Sequence, residues 1–478
     1  MTIKSELACI VGTEHVSDDA EVLEQYSKDY SFVTPRRPSY VVFPKDSEEI
    51  QGVVKYANEH LIPVTSRSSK VSFYGAGIPS KGGIILDLTR MNKILEVNPE
   101  DKKVKVEPGV TWAQLQEELE KDDMMVCSPL LPHPLKSVLT SSMEREPILI
   151  PKSEYNDTLI TTEIVLPSGD LFWTGGALGR GMKSQAFSES IIPSSTRLFQ
   201  GAQGTLGIMT WANIKAEFTP KMDKLFFIPI ERIEDIAEPI YQIQRRMLGS
   251  ECLVLNGFNL AAIITESWPD EFKWLKETLP PWVLIQCLSG LNRHPEGRIE
   301  YEEEALMEIA QELGLNVLPT LSSITGLGAK MIKMLRQPWQ GDVYWKFRYK
   351  GSCHDIFFYT TLNRVAEFTK ATDEVTAKYG YPTADIGFYL QPIERGRACV
   401  CQYGFHCDPN DARDVSRVRS LYLEVSEKIV NIGGFFTAPY GSWADMVYSR
   451  TASYTAVMKM VKNVFDPNNI MNPGKLCY

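Results

Sequence analysis

The sequence predicts an α+β fold in two parts, on three observations. Between residues 41 and 119 short apolar runs alternate with amphipathic helical patterns. Two of those runs, Leu61–Val64 and Ile84–Leu88, flank a polar loop of Ser, Arg, Lys and Gly. From residue 220 to residue 440 strand and helix patterns recur in pairs, as a second unit with its own core. The expected division is 1–220, 221–440 and a C-terminal segment 441–478.

Bulk properties bound the function. A chain of 478 residues, 44% hydrophobic and 23% charged, can bury two or three cores. A net charge of −10 repels phosphate and excludes a general nucleic-acid binder. No apolar run reaches the roughly 18 residues that span a bilayer, and the first residues lack a signal-peptide core, so the expected location is the cytoplasm. Nine scattered cysteines read as reduced thiols.

Taken in order, residues 5–40 predict a helical entry, with Ser17-Asp-Asp capping a helix. Val41–Lys45 is a short strand. Residues 46–60 form an amphipathic helix that buries Ile50, Val53, Val54 and Ala57. The polar loop Ser66–Ser72 follows the next strand. Small hydroxyl and glycine residues let backbone N–H groups approach an anion, so the loop fits a pyrophosphate cradle; its composition fits a solvated turn equally. The G-x-G-x-x-G pattern is missing, which excludes a standard dinucleotide Rossmann fold. Trp112–Asp122 predicts a helix, and the proline-rich residues 126–157 predict loop. Leu159–Leu166 and Leu171–Thr174 form a hairpin about a Ser-Gly-Asp turn. Beyond 220, Leu225–Ile230 is a strand, Ile233–Leu248 a helix, Trp282–Leu288 a strand and Gly297–Leu313 a helix. Gly387–Arg397 and Ala398–His406 form a strand pair.

The order of several motifs resembles the vanillyl-alcohol oxidase / p-cresol methylhydroxylase superfamily. They are Leu86-Asp-Leu-Thr-Arg-Met-Asn-Lys-Ile-Leu-Glu-Val97, Val106-Glu-Pro-Gly-Val-Thr-Trp-Ala-Gln-Leu115, Gly201-Ala-Gln-Gly-Thr-Leu-Gly-Ile-Met-Thr210 and the tail Phe465-Asp-Pro-Asn-Asn-Ile-Met-Asn-Pro-Gly-Lys475. Met143-Glu-Arg145, Tyr155-Asn-Asp157, Glu163-Ile-Val-Leu-Pro-Ser-Gly169 and the Gln391–Arg397 segment narrow the resemblance to the vanillyl-alcohol oxidase-like branch. The chain departs from that branch at Glu146 (Gly there), at Thr158 (His there) and in a glycine-poor cradle.

The resemblance implies a PCMH-type FAD-binding domain, an α+β substrate cap, a C-terminal segment 441–478 that returns to the FAD domain, and hydride transfer from a substrate carbon to flavin N5. It implies that FAD meets the cradle residues Ser66, Arg67, Ser68, Ser69, Lys70, Val71, Ser72, Tyr74 and Gly75. Further contacts implied are Pro108, Gly109, Ser142, Glu144, Asn156, Gly204, Gly207, Ile208, Asn472 and Lys475. Asp157 aligns with a family aspartate beside N5; read alone, it is an Asx turn. Tyr74, Tyr440, Tyr448 and Arg450 are candidates for holding a substrate oxyanion, and each also reads as ordinary packing. Arg348 and Arg397 could clamp a carboxylate, and His406 is a further substrate candidate. Cys399, Cys401, His406 and Cys407 match no strong zinc spacing, so no metal is expected.

The expected function is an FAD-dependent oxidoreductase that acts on an alcohol or phenolic side chain and passes electrons to oxygen or a protein acceptor, in a homo-oligomer. A D-lactate or glycolate dehydrogenase is the first alternative. Gly433–Gly441, where that branch carries a histidine, has none. A non-catalytic electron-relay subunit, motivated by the glycine-poor cradle, is the second.

Overall fold

A computed structural model describes residues 2–152, 157–178, 195–321 and 324–478. Its described strands form three main sheets. The first has the order Val16–Ser17, Tyr40–Val42, Ile84–Asp87, Val64–Arg67, the last three parallel. Val41, Val42 and Ile84–Leu86 are fully buried, as continuous apolar runs in parallel strands require. The helix Ser47–Glu59 crosses between two of these strands. Asp46 caps it by accepting from the Glu49 N–H (2.9 Å), and its predicted face is buried.

The second sheet is antiparallel, in the order Ile94–Asn98, Lys103–Val106, Ile208–Lys215, Leu159–Val165, Leu171–Trp173. The expected hairpin is its last pair. The third is a six-stranded antiparallel sheet: Met222–Ile230, Trp282–Gly290, Cys252–Asn256, Gly387–Ile393, Ala398–Cys407, Ser352–Thr360. Alternation along Met222–Ile230 sends Phe226 and Ile228 to one core and Leu225 and Phe227 to the other, so helices cover both faces.

The tail returns to the first sheet. Asp466, 1% exposed, accepts from the Lys462 ammonium (2.6 Å) and from the Ile470 and Met471 N–H groups. The Val64 N–H donates to Ile470 O and the Asn472 N–H to Val64 O, each at 2.7 Å.

Several expectations need correction. The strand predicted at Leu61–Val64 runs Val64–Arg67, because Leu61 takes a positive φ of 53° and is exposed. The entry segment is not continuously helical: it holds Ile3–Val11 and Ala20–Gln25 with a short strand between them. The loop-rich stretch 126–157 hides the helix Val138–Met143, capped by Ser137. The helix expected from Ile233 splits into a 3-10 turn, Ile233–Ile236, and Ala237–Arg245. Among the described residues no helix is long and apolar enough to cross a membrane.

Candidate active site

The polar cradle sits where the parallel strand Val64–Arg67 ends, the edge at which open α/β sheets receive ligands. From that edge runs a cleft of about 130 Å³. Its walls include the predicted Ser66, Arg67, Ser68, Ser69, Ser72, Pro108, Glu144, Gly204, Gly207 and Ile208. Hydroxyls shape the cradle in place of glycines. Ser68 and Thr140 share a 2.6 Å hydrogen bond, and the Ser69 hydroxyl accepts from the Ser137 N–H at 2.8 Å. The hidden helix therefore holds the loop. On the opposite wall Gly204 has φ +72°, and a Cβ there would stand 2.9 Å from the Ser66 hydroxyl. This narrow cleft, lined by small and hydroxyl residues with the Arg67 guanidinium, fits a dinucleotide with its pyrophosphate.

Other expected cofactor contacts lie behind the wall. Asn472 is buried and donates to Ala76 O (3.0 Å) and Gln203 O (2.7 Å), while the Lys475 ammonium donates to Gly75 O (2.8 Å). Burial lowers the Lys475 pKa to about 8. Both residues brace the cradle from outside. Gly75 has φ +77°, and its N–H donates to Asp29. Gly109 packs where a Cβ would meet three carbonyl oxygens within 3.0 Å. Lys70 is exposed and Val71 is buried in packing. Ser142 bonds Thr158 and Val138 O. Asn156 lies outside the described residues.

A second cavity, of about 80 Å³, adjoins the cleft and shares Glu144 and Tyr440 with it. Its floor is one face of the six-stranded sheet. Strand alternation aligns Cys353, Asp355, Phe357 and Tyr359, and register sets Gln402 opposite Phe357 and Tyr389. Tyr74 and Tyr440 close the chamber, their rings stacked 5.1 Å apart at 20°. Burial pushes both phenols well above their ordinary pKa, so both are neutral donors. On the far side of this pair a larger cavity of about 620 Å³, lined by Arg36 and Arg419, shares Phe73, Tyr74, Asp355 and Tyr440.

Buried charge concentrates in the chamber. The Lys136 ammonium, 3% exposed, donates to Glu144 at 2.5 Å and to Glu146 at 2.6 Å. It lies 5.5 Å from the Tyr74 ring centroid. Arg145 between the two glutamates takes a positive φ of 55°. That reversal turns both carboxylates toward one ammonium, a strain of the kind stored at functional sites. Burial opposes the Lys136 charge, but the two carboxylates outweigh it and raise its pKa. Burial, with Glu146 and Asp29 adding to it against Lys136, raises Glu144 to about 7. Lys346 is paired with Asp355. Sequence reasoning missed Lys136, Asp355, Tyr359 and Gln402; alternation through 352–360 was the available signal for two of them.

The structure sets the remaining candidates apart from the chamber. Asp157 faces the Thr196–Phe199 helix, accepting from Gln200 (3.0 Å) and lying 3.5 Å from Arg197. Arg348 donates to Ala262 O and Thr265 O at the end of the helix Gly257–Ile264, and stacks over Trp268. In this position it caps the helix. Arg397 is exposed after the turn Glu394–Gly396. Tyr448 stacks on Tyr454, and Arg450 is exposed. His406 is buried against Phe258 and Tyr349, and burial lowers its pKa to about 4. Among the described residues no cluster suits a metal ion.

Comparison with known proteins bears on these features. Residues 38–175 match the family described as FAD binding domain, and residues 332–476 match FAD linked oxidases, C-terminal domain. The chain is 24% identical to the glycolate oxidase subunit GlcD of Bacillus subtilis (strain 168), covering 99% of this chain and 96% of that protein. It is 25% identical to a D-lactate dehydrogenase of Anaerostipes hadrus, covering 96% and 94%. Over 48% of this chain and 45% of the other, it is 31% identical to the 4-cresol dehydrogenase [hydroxylating] flavoprotein subunit of Pseudomonas putida. The fold is similar to substrate-bound p-cresol methylhydroxylase (TM-score 0.84, 21% identity, 99% and 96% covered). It is also similar to 4-ethylphenol oxidase from Gulosibacter chungangensis (TM-score 0.81, 21% identity, 99% and 96% covered). With a cleft that fits a dinucleotide and matches to an FAD binding domain and an FAD linked oxidase C-terminal domain, the chain is an FAD-linked oxidoreductase, and its fold is that of p-cresol methylhydroxylase.

Proposed function

We propose that this enzyme takes a hydride from a small hydroxyl-bearing aromatic substrate, an aryl carbinol or a phenol side chain, as a member of the vanillyl-alcohol oxidase-like branch. The observation that carries this reading is the aromatic chamber, closed by the stacked Tyr74 and Tyr440, that shares a wall with the FAD cleft. FAD, when bound, supplies the hydride acceptor. The chain supplies the rest. Aromatic walls exclude water and orient a ring, and the neutral phenols of Tyr74 and Tyr440 donate hydrogen bonds to the substrate oxygen. On this reading residues 1–220 and 441–478 carry the cofactor, and 221–440 form the cap.

A second reading, oxidation of a 2-hydroxy acid, draws on the names of the full-length relatives. The chamber's charge disfavours it. Lys136 is already shared by two carboxylates and Lys346 is paired with Asp355, so neither buried ammonium is free to bind a substrate carboxylate. Arg145 also lines the chamber, from an exposed position. The name of the Pseudomonas putida relative, a flavoprotein subunit, supports a protein electron acceptor over oxygen. The test is anaerobic bleaching of the FAD-loaded protein by a panel of 4-alkylphenols, aryl carbinols, D-lactate and glycolate. Bleaching by the aromatic compounds alone is expected; bleaching by D-lactate or glycolate alone overturns the reading.

A further inference from the structure

We propose that Glu144 is the proton acceptor for the substrate hydroxyl, set in place by Lys136 and Glu146. The proposal rests on the aromatic-substrate reading above. Glu144 is the carboxylate that lines both the chamber and the FAD cleft. It caps the end of the helix Val138–Met143, and Lys136 fixes it from 2.5 Å. The groups around it are Lys136, Glu146, Arg145, Asp29, Tyr74 and Tyr440, with the Lys346–Asp355 pair and His133 across the chamber. In the buried cluster one ammonium faces two carboxylates, and Arg145 beside them is exposed, so solvent weakens its compensation of the second negative charge. A proton is the smallest ligand that cancels it.

The step balances. The substrate O–H bond breaks and its electron pair forms the new C=O bond. The C–H electron pair leaves as hydride to the bound FAD, and the proton goes to the Glu144 carboxylate. Glu144 is therefore a catalytic base, while Lys136 and Glu146 are positioning residues. Its elevated affinity for protons, from burial and Glu146, suits transfer near neutrality.

The experiment uses FAD-loaded protein and a phenol that cannot be oxidised, 4-nitrophenol. The bound ligand's spectrum reports phenol or phenolate, and a weakly buffered solution reports protons released. Wild type should bind it as phenolate without releasing the proton to solvent. Glu144→Gln should bind it as neutral phenol or release the proton. With an aromatic substrate that bleaches wild type, Glu144→Gln should slow reduction by about 10²–10⁴-fold. Glu146→Gln should slow reduction less than Glu144→Gln does and should move the acid limb to lower pH, because a like charge next to Glu144 is gone. An unchanged spectrum, proton balance and pH profile in Glu144→Gln overturn the proposal, even where aromatic substrates still bleach the protein. Failure of every aromatic compound to bind or bleach wild type overturns the functional reading itself, and this proposal with it.

Discussion

Tyr74 and Tyr440 separate two kinds of contribution that a phenol makes. Their stacked rings, 5.1 Å apart, shape the chamber, and their neutral hydroxyls supply donors. Tyr74→Phe and Tyr440→Phe keep the rings and remove one donor each. Each should lower kcat/KM for an aromatic substrate by about 10–100-fold, the cost of about 1–3 kcal/mol for an unmade buried hydrogen bond, with Tm nearly unchanged. His406 makes a different residue-scale prediction. Folded, it stays neutral down to about 4, whereas its ordinary value is 6.5. Between those values the unfolded chain binds a proton that the folded chain refuses. Stability therefore falls as pH drops through this window, by at most about 1.4 kcal/mol per pH unit from this group. Urea unfolding of His406→Leu on either side of the window should show a shallower acid loss than wild type.

At the level of elements, the C-terminus of the helix Gly257–Ile264 engages an arginine that the sequence offers as a carboxylate clamp. Arg348 looks available for a substrate carboxylate. Folding spends its guanidinium on Ala262 O (3.0 Å) and Thr265 O (2.9 Å), carbonyls left without partners where the helix stops. Arg348→Ala should therefore destabilise by about 1–3 kcal/mol, as loss of a charged hydrogen bond does, and leave KM unchanged. A large rise in KM with unchanged stability would return it to the substrate site. The helix Val138–Met143 gives the converse lesson. Its proline-rich approach reads as loop, yet Ser137 caps it, and it carries both the tie to Ser68 and Glu144. Only six residues long, it is too short for periodicity to reveal.

For the whole molecule, the returning tail joins the first sheet to the glycine-rich wall of the cleft. Lys462 bonds Asp466, Thr205 O and Met471 O together, all in the interior. Asp466→Ala strands a buried ammonium and should cost about 3–5 kcal/mol. Because Thr205 adjoins Gly204 in the cleft wall, the same change should weaken FAD binding. Thermal unfolding and FAD titration of the variant measure both effects; tight FAD binding with a lowered Tm would uncouple tail from cleft.

Sequence alone determined most of the strands and helices and, through the motifs that carry the resemblance, the class of cofactor and the return of the tail. Each is written in contiguous residues: the apolar run Leu225–Ile230, the amphipathic helix at 46–60, the motif Asp466–Lys475. The cradle Ser66–Ser72 was legible for the same reason, though its means of closure, a serine tied to Thr140, was not. Only the tertiary structure decided which charges meet. Lys136, Glu144 and Glu146 converge because Arg145 takes a left-handed backbone conformation, and Asp355 and Gln402 join them through sheet register. Asp157, Arg348, Arg397 and His406 carry equally suggestive chemistry, but the fold directs them to a helix flank, a helix end, the surface and a core. Side-chain convergence depends on backbone reversals and strand pairings between distant residues, and no local run of sequence encodes those distances.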